Sequence, residues 1–105
     1  MTPKEETMLF AFTGTDRPGQ LDLRVATRPD HVAYLTGLHD TGVLKLAGPF
    51  IDGNGTPCGS MLVLEADSIE SARDILAGDP YAKVGLFAAT EVRAWNWTFG
   101  KPAGN

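Results

Sequence analysis

The sequence predicts an α+β domain with the element order β-α-β-β-α-β. Two stretches have the apolar spacing of helices, and four apolar stretches with strand-like patterns surround them. Between the second and third strands, Asp52-Gly53-Asn54-Gly55 contains two turn dipeptides in a row, which is typical of a hairpin tip. This order is the split β-α-β arrangement of a ferredoxin-like domain. With 105 residues, of which 43% are hydrophobic, we expect one domain with one modest core.

The first half of the chain predicts a strand followed by a long helix. Residues 8–13 are an apolar run that ends at a glycine, which indicates a buried strand. After a turn at 15–19, a helical pattern covers about residues 20–41, and Gly42 ends it. Pro29 should kink or restart this helix, because proline has no backbone N–H, and Thr27 would cap the restart. The predicted inner side of the helix carries Leu21, Val25, Val32 and Leu35, with Leu38 at its edge and His39 near its middle.

The second half predicts two strands at 43–50 and 60–66, joined by the hairpin tip. Ser68 should cap a second helix that runs to about residue 77. Asp79-Pro80-Tyr81 then forms a loop or a single turn, and residues 86–99 form a long final strand. We therefore place the domain at residues 8–99, between a loose N-terminal tail at 1–7 and a C-terminal tail at 100–105.

The composition excludes several classes of function. The net charge is −4 and the basic residues are not clustered, so we expect no nucleic-acid partner. No apolar run approaches the length of a membrane span, and the first residues lack the apolar centre of a signal peptide, so we expect a cytoplasmic protein with no membrane partner. Cys58 is the single cysteine, which excludes an internal disulfide and gives no metal-ligand spacing. Nothing in the chain requires a metal or another cofactor.

The final strand predicts a homodimer. Both helices of a ferredoxin-like domain cover the same face of the sheet, and we assign to them the small and branched side chains of this strand. The other side would then lack cover within one chain, and a bare aromatic patch usually marks an interface. We expect the interface to bury Phe87 and at least one of Trp95 and Trp97, although both tryptophans could instead lie in a C-terminal arm past the sheet. The aromatic side carries Phe87, Ala89, Glu91, Arg93, Trp95, Trp97 and Phe99.

His31 and Asp79 are the candidate acid–base pair. The chain has two histidines, and His31 falls at the edge of the apolar side of the first helix, where a half-buried imidazole needs a hydrogen-bond partner. A carboxylate such as Asp79 would fix the tautomer and leave the other ring nitrogen free to move a proton. Two structural alternatives remain open: a core histidine bonded to a backbone carbonyl, and an aspartate that only caps a turn.

Three further residues are candidates for substrate binding. Arg28 lies one helical turn before His31 and could hold a carboxylate or phenolate, or could form a surface salt bridge. Ser60 could donate a hydrogen bond to a ligand, and Tyr81 could contribute its phenol group to the same pocket. The structural alternatives are a strand-end hydroxyl for Ser60 and a packing role for Tyr81. Arg24, one turn further from His31, is a weaker candidate.

The ordered set of residues resembles the YciI-like (YCII-related) family. The resemblance implies a dimer of ferredoxin-like domains whose sheets form an α+β barrel, with a pocket holding a His–Asp pair that maps to His31 and Asp79. It also implies similarity to a dehydrochlorinase that acts on a hydroxylated aromatic ring. The chain departs from the family pattern in its N-terminal tail and in Pro29 beside Arg28. The residues that carry the resemblance are Leu21, Arg24, Arg28, His31, Leu35, Leu38, Gly42, Leu44, Ala47-Gly48-Pro49, Gly59-Ser60 and Asp79-Pro80-Tyr81.

These observations favour a small enzyme in which His31, oriented by Asp79, is the general acid–base of a lyase or isomerase reaction. The expected substrate is small and anionic, and an aromatic ring is compatible with the resemblance. A non-catalytic ligand-binding or accessory module that uses the same pocket is the alternative. A structural dimer with a vestigial site is a third interpretation.

Overall fold

A computed structural model describes residues 7–102. Its four strands form one antiparallel sheet in the order β2-β3-β1-β4, with helices against one face, and this confirms the ferredoxin-like prediction. The elements are β1 (Met8–Asp16), α1 (Leu21–Asp40), β2 (Leu44–Ile51), β3 (Pro57–Ala66), α2 (Ile69–Ala77), α3 (Pro80–Lys83) and β4 (Phe87–Trp95).

The first helix has nearly the predicted bounds, but it is less interrupted than the sequence predicts. α1 continues through Pro29, so the predicted restart is wrong, and Thr27 is buried in the helix instead of capping a new one. Pro29 itself is exposed. Packing on both sides of Pro29 holds the helix together, since tertiary contacts supply most of the stability of a protein helix.

The inner face of α1 is also rotated from its predicted position. Its three buried residues are polar: Arg24, Thr27 and His31. The predicted inner residues Leu21 and Val25 are 43% and 62% exposed. These polar side chains of α1 face the sheet. The apolar residues of the helix therefore lie on one of its flanks. Leu35 and Leu38 still pack against the core, whereas Val32 and His39 are exposed, which contradicts the prediction for both.

The core lies between the sheet and the helices. Alternate residues of β1 and β3, such as Phe10, Phe12, Leu62 and Leu64, point toward the helices and are buried. Ser68 caps α2 as predicted, because its side chain accepts a hydrogen bond from the backbone of Ser71. The remaining members of the buried cluster are Leu44, Ala66, Ala72 and Leu76.

A bulge in β4 overturns the prediction for Phe87. The pairing of β1 with β4 shifts between Thr15 and Asp16, so that Asp16 lies opposite Phe87 and one residue of β4 is left over. The side chain of Phe87 therefore packs on the helix side, 5.6 Å from the ring of Phe12, and does not belong to the open face. β4 ends at Trp95, so the sequence prediction of a strand up to residue 99 is wrong for residues 96–99, which lie beyond the observed strand.

The predicted tails lie mostly outside the described residues, which exclude 1–6 and 103–105. Thr7, at the first described position, donates a hydrogen bond to Glu65. Within residues 7–102, no helix is both long and apolar enough to cross a membrane.

Candidate functional site

His31 and Asp79 meet within one chain. Nδ1 of His31 lies 2.8 Å from Oδ1 of Asp79, and the two residues are only 8% and 2% exposed. Because an ionised carboxylate can only accept hydrogen bonds, Nδ1 carries the proton and donates it to Asp79. The contact therefore fixes the tautomer in which Nε2 has a free lone pair.

Local sequence places Asp79 where it can hold the histidine. α2 ends before Gly78, and Asp79 then caps the short helix α3, with Pro80 at its first position. Oδ1 of Asp79 accepts the backbone N–H of Tyr81 at 3.0 Å as well as the bond from His31. The turn-capping role and the histidine-orienting role of Asp79, which are compatible because a carboxylate has several acceptor sites, both fall to the same oxygen atom.

Tyr81 lies directly against the catalytic candidate. Its ring stacks on the ring of His31, with the centroids 3.8 Å apart and the planes 14° from parallel. The ring of Phe87 meets it edge-on at 6.2 Å. Burial raises the pKa of Tyr81 above its ordinary value, although the positive charges of Arg24 and Arg28 act in the opposite direction. The phenol group thus stays protonated at neutral pH.

Arg24 is the arginine that the structure builds into the site, and sequence reasoning ranked it too low. Its guanidinium group forms two hydrogen bonds with the carboxylate of Asp16, at 2.7 and 3.2 Å. Nη2 also donates to the carbonyl oxygen of Gly59 at 2.7 Å and to Oγ of Ser60 at 2.8 Å. Its Cζ lies 4.7 Å from the centroid of the Tyr81 ring. The sequence signal for Arg24 is its position seven residues before His31, because this spacing puts both residues on one helix face two turns apart.

Burial alone would lower the pKa of Arg24. Hydrogen bonding and charge attraction from Asp16 outweigh burial, and Tyr81 adds a smaller effect in the same direction, so the pKa of Arg24 is raised. Arg24 is consequently a permanent cation, held in a fixed orientation by Asp16 at the end of β1.

These residues border a cavity of about 550 Å³ between α1 and the β2–β3 hairpin. His31, Ser60, Tyr81 and Arg24 are at its polar end, and Arg28 lines it as an exposed side chain. Asp79 does not line the cavity and stands behind His31. The remaining wall is largely apolar, including Leu21, Val25, Val32, Leu35, Ala47, Pro49, Pro57 and Leu62. A cavity of this size and lining suits a small organic molecule.

Metal ligands do not cluster in the part of the chain that the structure describes. No group of three or more His, Cys, Asp or Glu residues there could hold a metal ion. Cys58 is exposed and is a free cysteine.

Fold and site together define a small ferredoxin-like α+β domain with a histidine–aspartate pair beside a ligand-sized cavity. Residues 8–96 match the YCII-related domain, and the chain belongs to the YCII-related family. It is 33% identical over 98 residues to protein YciI from Escherichia coli, an alignment that covers 88% of this chain and all of the relative. It is also 32% identical over 72 residues to derivative of benzaldehyde biosynthesis cluster protein C from Emericella nidulans, covering 62% and 74% of the two chains.

One solved structure combines high structural similarity with appreciable sequence identity. It is the 5-chloro-2-hydroxyhydroquinone dehydrochlorinase TftG from Burkholderia phenoliruptrix, in complex with 2,5-dihydroxybenzoquinone. The TM-score is 0.78 and the identity is 35%, with 85% of this chain and 94% of the dehydrochlorinase covered.

Proposed function

We propose that this protein is a small lyase or isomerase that uses His31, oriented by Asp79, to move protons on a hydroxylated aromatic substrate. The observation that carries the proposal is the 2.8 Å contact between His31 and Asp79, with His31 lining the cavity and Asp79 behind it. Among the described residues, Nε2 of His31 has no hydrogen-bond partner. A ring nitrogen with a free lone pair, held at the edge of a cavity, is what a general base requires.

The cavity supports an aromatic, anionic substrate. Its apolar wall can cover the faces of a ring, while Arg24 and Arg28 bring positive charge to its lining. Arg24 is neutralised by Asp16, whereas Arg28 has no ion-pair partner in the described part of the chain. Arg28 can therefore attract an anionic substituent at the cavity rim.

Elimination of HX from a halogenated hydroquinone is the reaction class that this machinery fits best, and the similarity to the dehydrochlorinase supports it. One hydroxyl proton is transferred to the halogen-bearing ring carbon, and the second is released as the carbon–halogen bond breaks. The halide leaves with the bonding electron pair, the ring becomes a quinone, and no external oxidant is needed. A base that can return its proton, as a histidine can, serves both steps.

The test is a substrate panel with purified protein. Chlorinated hydroquinones, including 5-chloro-2-hydroxyhydroquinone, are incubated with the protein, and chloride release and quinone absorbance are followed. We expect turnover with at least one ring that carries hydroxyl groups. Calorimetric binding of these compounds without turnover would instead support the alternative, a ligand-binding or accessory module.

We also propose that the protein is a homodimer formed through the face of the sheet that the helices leave open. Trp95, on that face by strand alternation, is 40% exposed in the single chain. Sedimentation at micromolar concentration should give a dimer, and an 11.2 kDa monomer would contradict this. Trp95→Ala should weaken the dimer, whereas Phe87→Ala should lower the stability of the fold, because Phe87 packs inside one chain.

A further inference from the structure

The polar end of the cavity contains a cation that can only donate hydrogen bonds. A guanidinium group has five N–H donors and no acceptor, so any hydroxyl group that it contacts must use an oxygen lone pair for that contact. Arg24 is 5% exposed and is fixed by its two bonds to Asp16, so it cannot turn away from its neighbours. Arg24 therefore dictates which way the adjacent hydroxyl hydrogens point.

Ser60 carries the first of the hydroxyl groups that Arg24 orients. Its Oγ accepts a hydrogen bond from Nη2 of Arg24 at 2.8 Å. No acceptor for the Ser60 hydroxyl hydrogen exists among residues 7–102. Ser60 is 3% exposed and lines the cavity, so this O–H is a buried donor directed at the ligand space.

Tyr81 carries the second. Tyr81 is 1% exposed and lines the same cavity, and the guanidinium group of Arg24 lies over its ring. Hydrogen bonding with the Tyr81 side chain is among the effects that raise the pKa of Arg24. The described part of the chain offers no acceptor for its hydroxyl hydrogen either. Stacking on His31 and edge contact with Phe87 fix the ring, which lies against the histidine that we assign to proton transfer.

We propose that Arg24 is a positioning residue that makes Ser60 and Tyr81 a two-donor subsite for a negatively charged oxygen of the ligand, such as a phenolate or enolate. Such a subsite would stabilise the charge that develops on the ring oxygen as His31 removes its proton. The subsite rests on the proposed function only for its catalytic use, since binding of a phenolate can be measured without turnover.

The experiment uses 4-nitrophenol as the probe, because its ionised and neutral forms have different visible spectra. Titration of the bound probe gives the preference for the ionised over the neutral form. We expect the full chain to prefer the ionised form, and Ser60→Ala and Tyr81→Phe each to reduce this preference by roughly 10-fold or more, as for a hydrogen bond to a charged group. Arg24→Lys, which keeps the charge but loses the planar fork, should reduce it similarly.

Tyr34→Phe is the matched control, because the hydroxyl group of Tyr34 donates to the backbone oxygen of Ile75 at 2.6 Å and does not line the cavity. It should leave the preference unchanged. The proposal is overturned if the full chain shows no preference for nitrophenolate, or if the preference depends on neither or only one of the two hydroxyl groups. If Arg24→Lys fails to fold, Ser60→Ala and Tyr81→Phe decide. Turnover separates this proposal from the proposed function. A full chain that prefers nitrophenolate and loses the preference in Ser60→Ala and Tyr81→Phe, but turns over no member of the substrate panel, retains the subsite and contradicts the proposed function.

Discussion

Replacing Asp79 by two different residues separates its structural role from its chemical role. Asp79→Ala removes the cap on Tyr81 and leaves the buried Nδ1–H of His31 without an acceptor. The lost cap costs about 1 kcal/mol and the unsatisfied donor about 1–3 kcal/mol, so the free energy of unfolding should fall by about 2–4 kcal/mol. For a chain of this size, that corresponds to a fall in Tm of roughly 10–20 °C.

Asp79→Asn keeps a carbonyl oxygen that can accept both bonds, because both end on the same atom, Oδ1. Asparagine is also as good a helix cap as aspartate, so we expect a loss of under about 1 kcal/mol. The negative charge that stabilises a protonated His31 is gone in either variant, so turnover should fall by about 100-fold in both.

The assay pairs urea unfolding with chloride release for both variants. The reasoning predicts unequal stabilities with similarly low rates. Equal destabilisation by asparagine and alanine would refute the account of the cap. Full turnover in Asp79→Asn would show that the carboxylate charge is not needed.

Two other predictions concern stability. Gly59→Ala should destabilise the fold by about 1–3 kcal/mol in urea unfolding, because the added Cβ would lie 2.5 Å from the carbonyl oxygen of Gly14. Gly53→Ala is the control and should change stability little, because nothing lies within 4 Å of a Cβ added there. Folding stability should also fall as the pH rises above about 10, since burial raises the pKa of Tyr34 and Tyr81 in the folded chain and the unfolded chain releases those protons first. Phenylalanine at either position should flatten this dependence, and an unchanged slope in both variants would contradict it.

The order of elements and the meeting of His31 with Asp79 could be predicted from sequence. Hairpin glycines, the cap at Ser68 and the apolar runs are local signals, and the structure has the elements that they predict. The pair could be predicted because the resemblance supplied it and because both residues follow local patterns, a helix flank and a turn. Local reasoning alone could not decide between the functional and the structural roles of His31 and Asp79.

The side that each residue faces could not be predicted. A single extra residue in β4 reverses the direction of Phe87, and no sequence signal marks that bulge. On α1, Arg24 and His31 face inward because Asp16, Ser60 and Asp79 offer them partners from distant parts of the chain. Such partners are created only by the tertiary fold, so the apolar residues of the helix gave the wrong inner face.

The most direct test of the central claim is the chloride-release rate of His31→Gln compared with the unchanged chain, on the best substrate from the panel. Glutamine can still donate a hydrogen bond to Asp79 but cannot accept and return a proton in the working pH range. Our account predicts a fall in kcat of about 100-fold or more with the fold retained, as judged by circular dichroism. A rate within a few-fold of the unchanged chain, in a folded variant, would contradict the assignment of His31 as the acid–base.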